Sequence, residues 1–309
     1  MKKITIAAGM LILYLILPLT SFALQMPDMS DSGESGIAAQ AYVVINPSTG
    51  EVLAQKNPDA QWVPASLTKL VTALVFLDAK PNFNHVIVIQ KSDQDLGGCS
   101  QGGACLPTKP GVAYRLRDLF YASLIASDNN ATMAVARSTG LPADQFVLLM
   151  NQKAQNLGAR GTHFVEPAGM DPANVITASD YAKIAAAAFQ NSLIQLTDAK
   201  STYSFKSANN KKYFHTIKNT DKLLGDDRLT VIGAKTGFLD ESKHNFSALI
   251  QDQLGNNLLV VLLGSATPAS QFSDARQLVA LGTLNLAFAG FQSSVLGTST
   301  PPATLKINN

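Results

Sequence analysis

Apolar positions recur along this chain with two different periods. Tyr42-Val43-Val44-Ile45 and Glu51-Val52-Leu53-Ala54 are short β-rich runs, and Asn46-Pro47-Ser48-Thr49-Gly50 between them carries turn chemistry, which predicts a hairpin over residues 41–56. From Ser66 to Ala79, Leu67, Leu70, Val71, Ala73, Leu74, Val75 and Leu77 leave almost no polar face, the pattern of a buried helix. Helical spacing also covers residues 117–138, 143–157 and 177–191, the last with Thr177 or Ser179 as N-cap. Beyond Leu229 the texture changes to strands at residues 231–236, 246–252 and 258–263, and a final helix is predicted at 269–288. Two strands from one end of the chain and three from the other predict an α+β fold: one antiparallel sheet of about five strands flanked by helices, with a mainly helical insertion over about 80–225.

Composition adds that this is a folded chain, since 46% of its 309 residues are hydrophobic and 15% charged. Twenty-four Lys and Arg against 22 Asp and Glu leave a formal charge of +2, too little for a nucleic-acid footprint or a polybasic membrane patch. Any membrane association is expected to be peripheral at most. Lys2 and Lys3, an apolar run from Ile4 to Leu19 and then Ser21-Phe22-Ala23 predict a signal peptide over 1–23, hence an exported, periplasmic or extracytoplasmic protein. The alternative is an uncleaved anchor, because the run is only slightly short of a membrane span. Residues 24–38 read as a flexible leader, 39–290 as the folded domain and 291–309 as a disordered tail. Cys99 and Cys105 flank a Gly-rich stretch, and in an oxidising compartment a disulfide that stiffens this flap is expected. A redox thiol pair or a metal site fits less well, because the spacing is not Cys-x-x-Cys and no His is near.

Three short motifs carry candidate chemistry. Ser66-Leu67-Thr68-Lys69 puts Ser66 and Lys69 on one face of the first turn of the predicted buried helix. A serine hydroxyl becomes a useful nucleophile when a neighbouring base takes its proton, and an amine serves as that base when burial or another cation lowers its pKa. Ser127-Asp128-Asn129 interrupts an apolar run and either ends a helix or faces a cleft. Lys235-Thr236-Gly237 lies on a strand: Lys offers a fixed charge for a carboxylate, Thr a hydroxyl, and Gly close backbone approach. Singly, each pattern is common as a capping serine, a helix boundary or a charged edge strand. Together, in this order and spacing, they match the motif set of β-lactamases and penicillin-binding proteins.

The resemblance extends to residues 42–57, Pro64-Ala65, Asn219-Thr220-Asp221-Lys222-Leu223-Leu224 and Gly233-Ala234 before the Lys-Thr-Gly motif. Over residues 40–290 the chain resembles the low-molecular-mass penicillin-binding proteins of the D-alanyl-D-alanine carboxypeptidase and endopeptidase family. That resemblance implies a β-lactamase/DD-peptidase-like fold with Ser66 as acylated nucleophile, Lys69 as its base and Ser127 as proton relay. It implies Asn129 as a ligand for a substrate amide, Lys235 and Thr236 for the carboxylate of the leaving residue with Gly237 beside the substrate backbone, and the N–H groups of Ser66 and Phe238 as oxyanion hole. Peptidoglycan stem peptides are the implied substrates and β-lactam antibiotics the implied covalent inhibitors, with no cofactor. Phe238-Leu239-Asp240-Glu241-Ser242-Lys243-His244 departs from the pattern of many relatives, so a different cleft rim is expected.

Other residues read more plainly. His85, His163, His215 and His244 lack metal-ligand spacing, and no metal is expected. Glu166 could serve as the deacylating carboxylate of a β-lactamase, but nothing local places it in the cleft. Lysines 200, 206, 211, 212, 218 and 222 read as a solvated face, with contact to anionic wall polymer as the alternative. A β-lactamase and a catalytically silent peptidoglycan-binding protein are the rival functions.

Overall fold

The structure, a computed structural model, describes residues 36–296. The signal peptide, most of the leader and the last residues of the tail, as predicted from sequence, lie outside the described residues.

Five strands form one antiparallel sheet in the order β2-β1-β9-β8-β7. They are β1 (Ala41–Ile45), β2 (Val52–Lys56), β7 (Thr230–Leu239), β8 (Lys243–Gln251) and β9 (Asn257–Ser265). The N-terminal hairpin therefore docks against the last strand, which closes the sheet from both ends of the chain as the pattern predicts. Alternation along the central strands separates two cores. Val43, Val261 and Leu263 point to one face, where α6 (Ala178–Gln190) covers them and α1 (Thr68–Asp78) joins the same core. Val44, Val260 and Leu262 point to the other, under Phe272, Leu278 and Val279 of α8 (Pro268–Leu296). β9 is buried on both faces, which is why its apolar run is continuous rather than alternating.

Between β2 and β7 the chain forms α1, which precedes the predicted insertion, and then α6 together with α2 (Lys91–Leu96), α3 (Leu116–Ile125), α4 (Asn129–Arg137), α5 (Ala143–Asn156) and α7 (Ser192–Asp198) inside it. Two small hairpins accompany them: β3 (Val86–Val88) with β4 (Ala113–Arg115), and β5 (Thr202–Lys206) with β6 (Phe214–Lys218). The basic stretch thus folds largely as the β5–β6 hairpin, with Lys206 and Lys218 exposed.

Several boundaries differ from the sequence reading. The helix predicted over 117–138 is two helices, because the polar Ser127-Asp128 segment breaks it. The fold also claims two residues assigned to the leader: Ile37 is buried, and the Ala38 N–H donates to Asp274 of α8 at 2.9 Å. At the other end α8 runs on to Leu296, past the expected end at 288 and into the segment read as tail. Residues 289–296 still have helix-compatible composition, and the Ser/Thr/Pro cluster begins only after Gly297.

Candidate active site

The nucleophile motif begins on a tight turn. Ala65 sits at φ +51°, Ala65–Leu67 form a 3-10 turn, and α1 follows directly, so Ser66 stands at the helix start and Lys69 one turn inside. The surrounding apolar helix buries Lys69 completely. Its Nζ has three partners: Ser66 Oγ at 2.7 Å, Asn129 Oδ1 at 2.7 Å and the Ala168 carbonyl oxygen at 2.5 Å. Two of these are carbonyl oxygens that only accept, whereas the serine hydroxyl can donate or accept. An ammonium can donate to all three oxygens, whereas a neutral amine can donate to both carbonyls and turn its lone pair to Ser66. Burial, then the nearby Lys235 charge, hold Lys69 well below the usual lysine range, against the opposing pull of Glu166 and Asp128.

The break between α3 and α4 supplies the second motif. Ser127 adopts φ +61°, and the Asn129 N–H donates to the Ala104 carbonyl at 2.7 Å, which ties the start of α4 to the cysteine flap. Ser127 Oγ accepts from Lys235 Nζ at 2.8 Å. Asn129 is buried; its Nδ2 donates to the Gly97 carbonyl at 3.0 Å and contacts Met170 Sδ at 2.9 Å. Asp128 beside it is pushed by burial up to about 7, although Lys69 and Lys235 both pull it down.

The third motif lies on β7, which passes over the serine turn. A Cβ on Gly237 would stand 2.7 Å from the Pro64 carbonyl oxygen and 3.3 Å from the Ser66 nitrogen, so only glycine allows that approach. Lys235 is fully buried and lowered by that burial to about 8, with Asp198 and Asp128 opposing the shift. Thr236 Oγ1 donates to Thr220 Oγ1 at 2.7 Å. Phe238 is 51% exposed at the rim and stacks on His244 with ring centroids 4.5 Å apart.

These elements enclose a cleft of about 530 Å³ that contains Ser66, Ser127, Asn129, Thr236, Gly237 and Phe238. Gln101 to Ala104 of the flap form part of its wall, and Cys99 and Cys105 are joined by a disulfide. A larger groove of about 1000 Å³ lies beside α5 and the 163–172 segment, but it lacks Ser66 and shares only Met170 with the cleft. Among the described residues no three His, Cys, Asp or Glu side chains gather as a metal site. Sequence reasoning missed the Ala168 carbonyl, since a backbone acceptor has no residue signature. It also passed over Met170.

The fold and the cleft have the form of a serine hydrolase, with a buried lysine hydrogen-bonded to a serine at a helix start. The D-alanyl-D-alanine carboxypeptidase family matches residues 28–267, and the chain belongs to that family. A D-alanyl-D-alanine endopeptidase of Haemophilus influenzae is 33% identical over 225 residues, covering 72% of this chain and 74% of that protein. One of Pseudomonas aeruginosa with the same description is 31% identical, over 78% and 76% of the two chains. Among solved structures, a Streptomyces K15 DD-transpeptidase superimposes with a TM-score of 0.74 at 28% identity, covering 80% of this chain and 98% of its own. The protein is accordingly a penicillin-binding D-Ala-D-Ala peptidase of the serine type.

Proposed function

We propose that Ser66 is the nucleophile of this peptidase, Lys69 its base and Ser127 the relay to the leaving amine. The observation that carries this reading is the hydrogen-bonded set Ser66–Lys69–Asn129 meeting Ser127–Lys235 across one cleft. Neutral Lys69 takes the Ser66 proton as Oγ attacks the carbonyl carbon of the penultimate D-alanine in a peptidoglycan stem. The N–H groups of Ser66 and Phe238 hold the oxyanion, and Ser127 passes a proton, replenished from Lys69, to the departing amine. Water then releases the acyl-enzyme. Lys235 and Thr236 hold the carboxylate beside the scissile bond. Asn129 takes a substrate amide oxygen in exchange for its contact to the Met170 sulfur, a weaker acceptor.

The cleft lining reaches Pro268 and Phe272 as well as Phe238. Two of the similar proteins are described as endopeptidases, which supports endopeptidase cleavage beside carboxypeptidase trimming. No helix of the described residues is long and apolar enough to cross a membrane, and the predicted signal peptide supports action outside the cytoplasm.

A fluorescent penicillin is expected to label the protein stably and to leave Ser66→Ala unlabelled. An unlabelled wild-type protein would point to a silent scaffold, and rapid loss of label to a β-lactamase. Purified cross-linked muropeptides are expected to be cut to monomers; release of D-alanine from a free pentapeptide without dimer cleavage would sink the endopeptidase assignment.

A further inference from the structure

Glu166 lies in a segment that none of the three motifs covers, and its side chain folds back on its own backbone. Oε2 accepts the N–H of Ala168 at 2.6 Å, while Oε1 accepts those of Gly169 at 2.5 Å and Met170 at 2.7 Å. The Asn174 side-chain amide donates to Oε1 at 2.8 Å, and the Asn174 oxygen accepts the Val165 N–H at 2.7 Å, which anchors the base of the loop. Geometry then carries the effect forward. In a trans peptide the C=O and N–H point in opposite directions, so holding the Gly169 N–H toward Glu166 turns the Ala168 C=O away from it. That carbonyl is the one that meets Lys69 Nζ at 2.5 Å. Gly169, at φ +82°, lets the loop press onto the nucleophile turn; a Cβ there would fall 1.9 Å from the Ala65 carbonyl oxygen.

We propose that Glu166 is a positioning residue for acylation: it locks the Ala168–Gly169 peptide so that the carbonyl takes one Lys69 N–H and the amine's lone pair is left for Ser66. The assignment rests on the reading of Lys69 as base. It also separates Glu166 from the deacylating role weighed from sequence, because its oxygens are already occupied by five donors, the Asp171 N–H at 3.4 Å being the fifth. Lys69 faces Lys235 from β7, Asp128 from the α3–α4 break and Glu166 from this loop; the first charge favours the neutral amine and the other two the ammonium. Removing the Glu166 charge therefore extends the neutral, basic form of Lys69 to lower pH.

The test is the acylation rate with a fluorescent penicillin, measured across the pH range in which each protein remains folded. Glu166→Gln keeps the size, loses the charge and sets an NH₂ among N–H donors. It is expected to slow acylation about 10- to 100-fold and to move the acid limb of the rate profile to lower pH. Glu166→Asp keeps the charge but shortens the reach, and is expected to slow acylation without moving that limb. A folded Glu166→Gln protein with the wild-type rate overturns the proposal. So does slowed acylation with an unmoved limb in both variants, which marks a loop support only. Normal acylation followed by prolonged retention of label assigns Glu166 to deacylation instead, and failure of both variants to fold assigns it to folding alone. If the wild-type protein takes no label, it is the reading of Ser66 and Lys69 that fails.

Discussion

Two lysine side chains lie fully buried behind the cleft wall, each bonded to a serine that lines it, and their environments push them toward different tasks. Lys69 is held well below the usual lysine range by burial and meets two fixed carbonyls, which suits a base. Lys235 is lowered only to about 8, so near neutrality it keeps the charge that a substrate carboxylate needs. The sign follows: the ammonium of Lys235 is present below about 8 and lost above it. We expect kcat/KM to fall as pH rises through that value, approaching about tenfold per pH unit. Lys235→Arg, whose guanidinium keeps its proton, is expected to bind substrate less well but to lose this alkaline limb. An unchanged limb in that variant would assign it to another group. At this scale the sequence was legible wherever chemistry resides in side chains with fixed spacing. Ser66, Lys69, Ser127, Asn129 and Lys235 could be picked out that way, and the structure gathers Ser66, Ser127 and Asn129 in one cleft with the two lysines hydrogen-bonded to them from behind. The Ala168 carbonyl could not, because what fixes it is a peptide orientation set by a glutamate two residues earlier.

The flap and the helix break belong together as elements. Asn129 receives the flap through its backbone N–H on Ala104 and its side chain on Gly97, while the same residue holds Lys69. The disulfide closes the flap across a sequence separation of 6 residues. In the chain-entropy account such a small loop stabilises by about 2 kcal/mol. Replacing both cysteines by serine is therefore expected to lower Tm by about 4 to 8 °C. Because Gln101 to Ala104 wall the cleft, KM should rise while kcat is largely kept. Unchanged substrate kinetics in the double variant would show that the flap does not shape access. Long apolar elements were readable here, and so was the polar interruption at Ser127. The short ones were not: α2 is Lys91-Ser92-Asp93-Gln94-Asp95-Leu96, with no apolar period at all. It is held by Asp93, which accepts from the Gln90 N–H at 2.8 Å and pairs with Arg137 of α4 at 2.7 Å. Such tertiary partners leave no local pattern.

On the scale of the whole molecule, the predicted topology holds because strand patterns at both chain ends share one apolar face. The helical insertion is no separate body. One core cluster takes Val43, Val261 and Leu263 from the sheet together with Leu70, Leu119, Ala134 and Ile184 from the helices. The cleft lies along this junction, with Ser66 and Ser127 on the helical side and Lys235 on β7. Trp62, the single tryptophan, spans the same region: its backbone exchanges hydrogen bonds with Ile176 before α6, and its indole N–H donates to the Ser242 carbonyl at the β7–β8 turn. Breaking either side of the junction would expose the shared core, so the two parts should lose structure together. Urea unfolding followed by Trp62 fluorescence, by far-UV circular dichroism and by residual penicillin labelling is expected to give one coincident transition. Labelling that disappears at lower urea than the fluorescence change, with helix content already falling, would instead mean that the insertion opens on its own. The alignment of Ser127 with Lys235 would then depend on a local equilibrium rather than on the global fold.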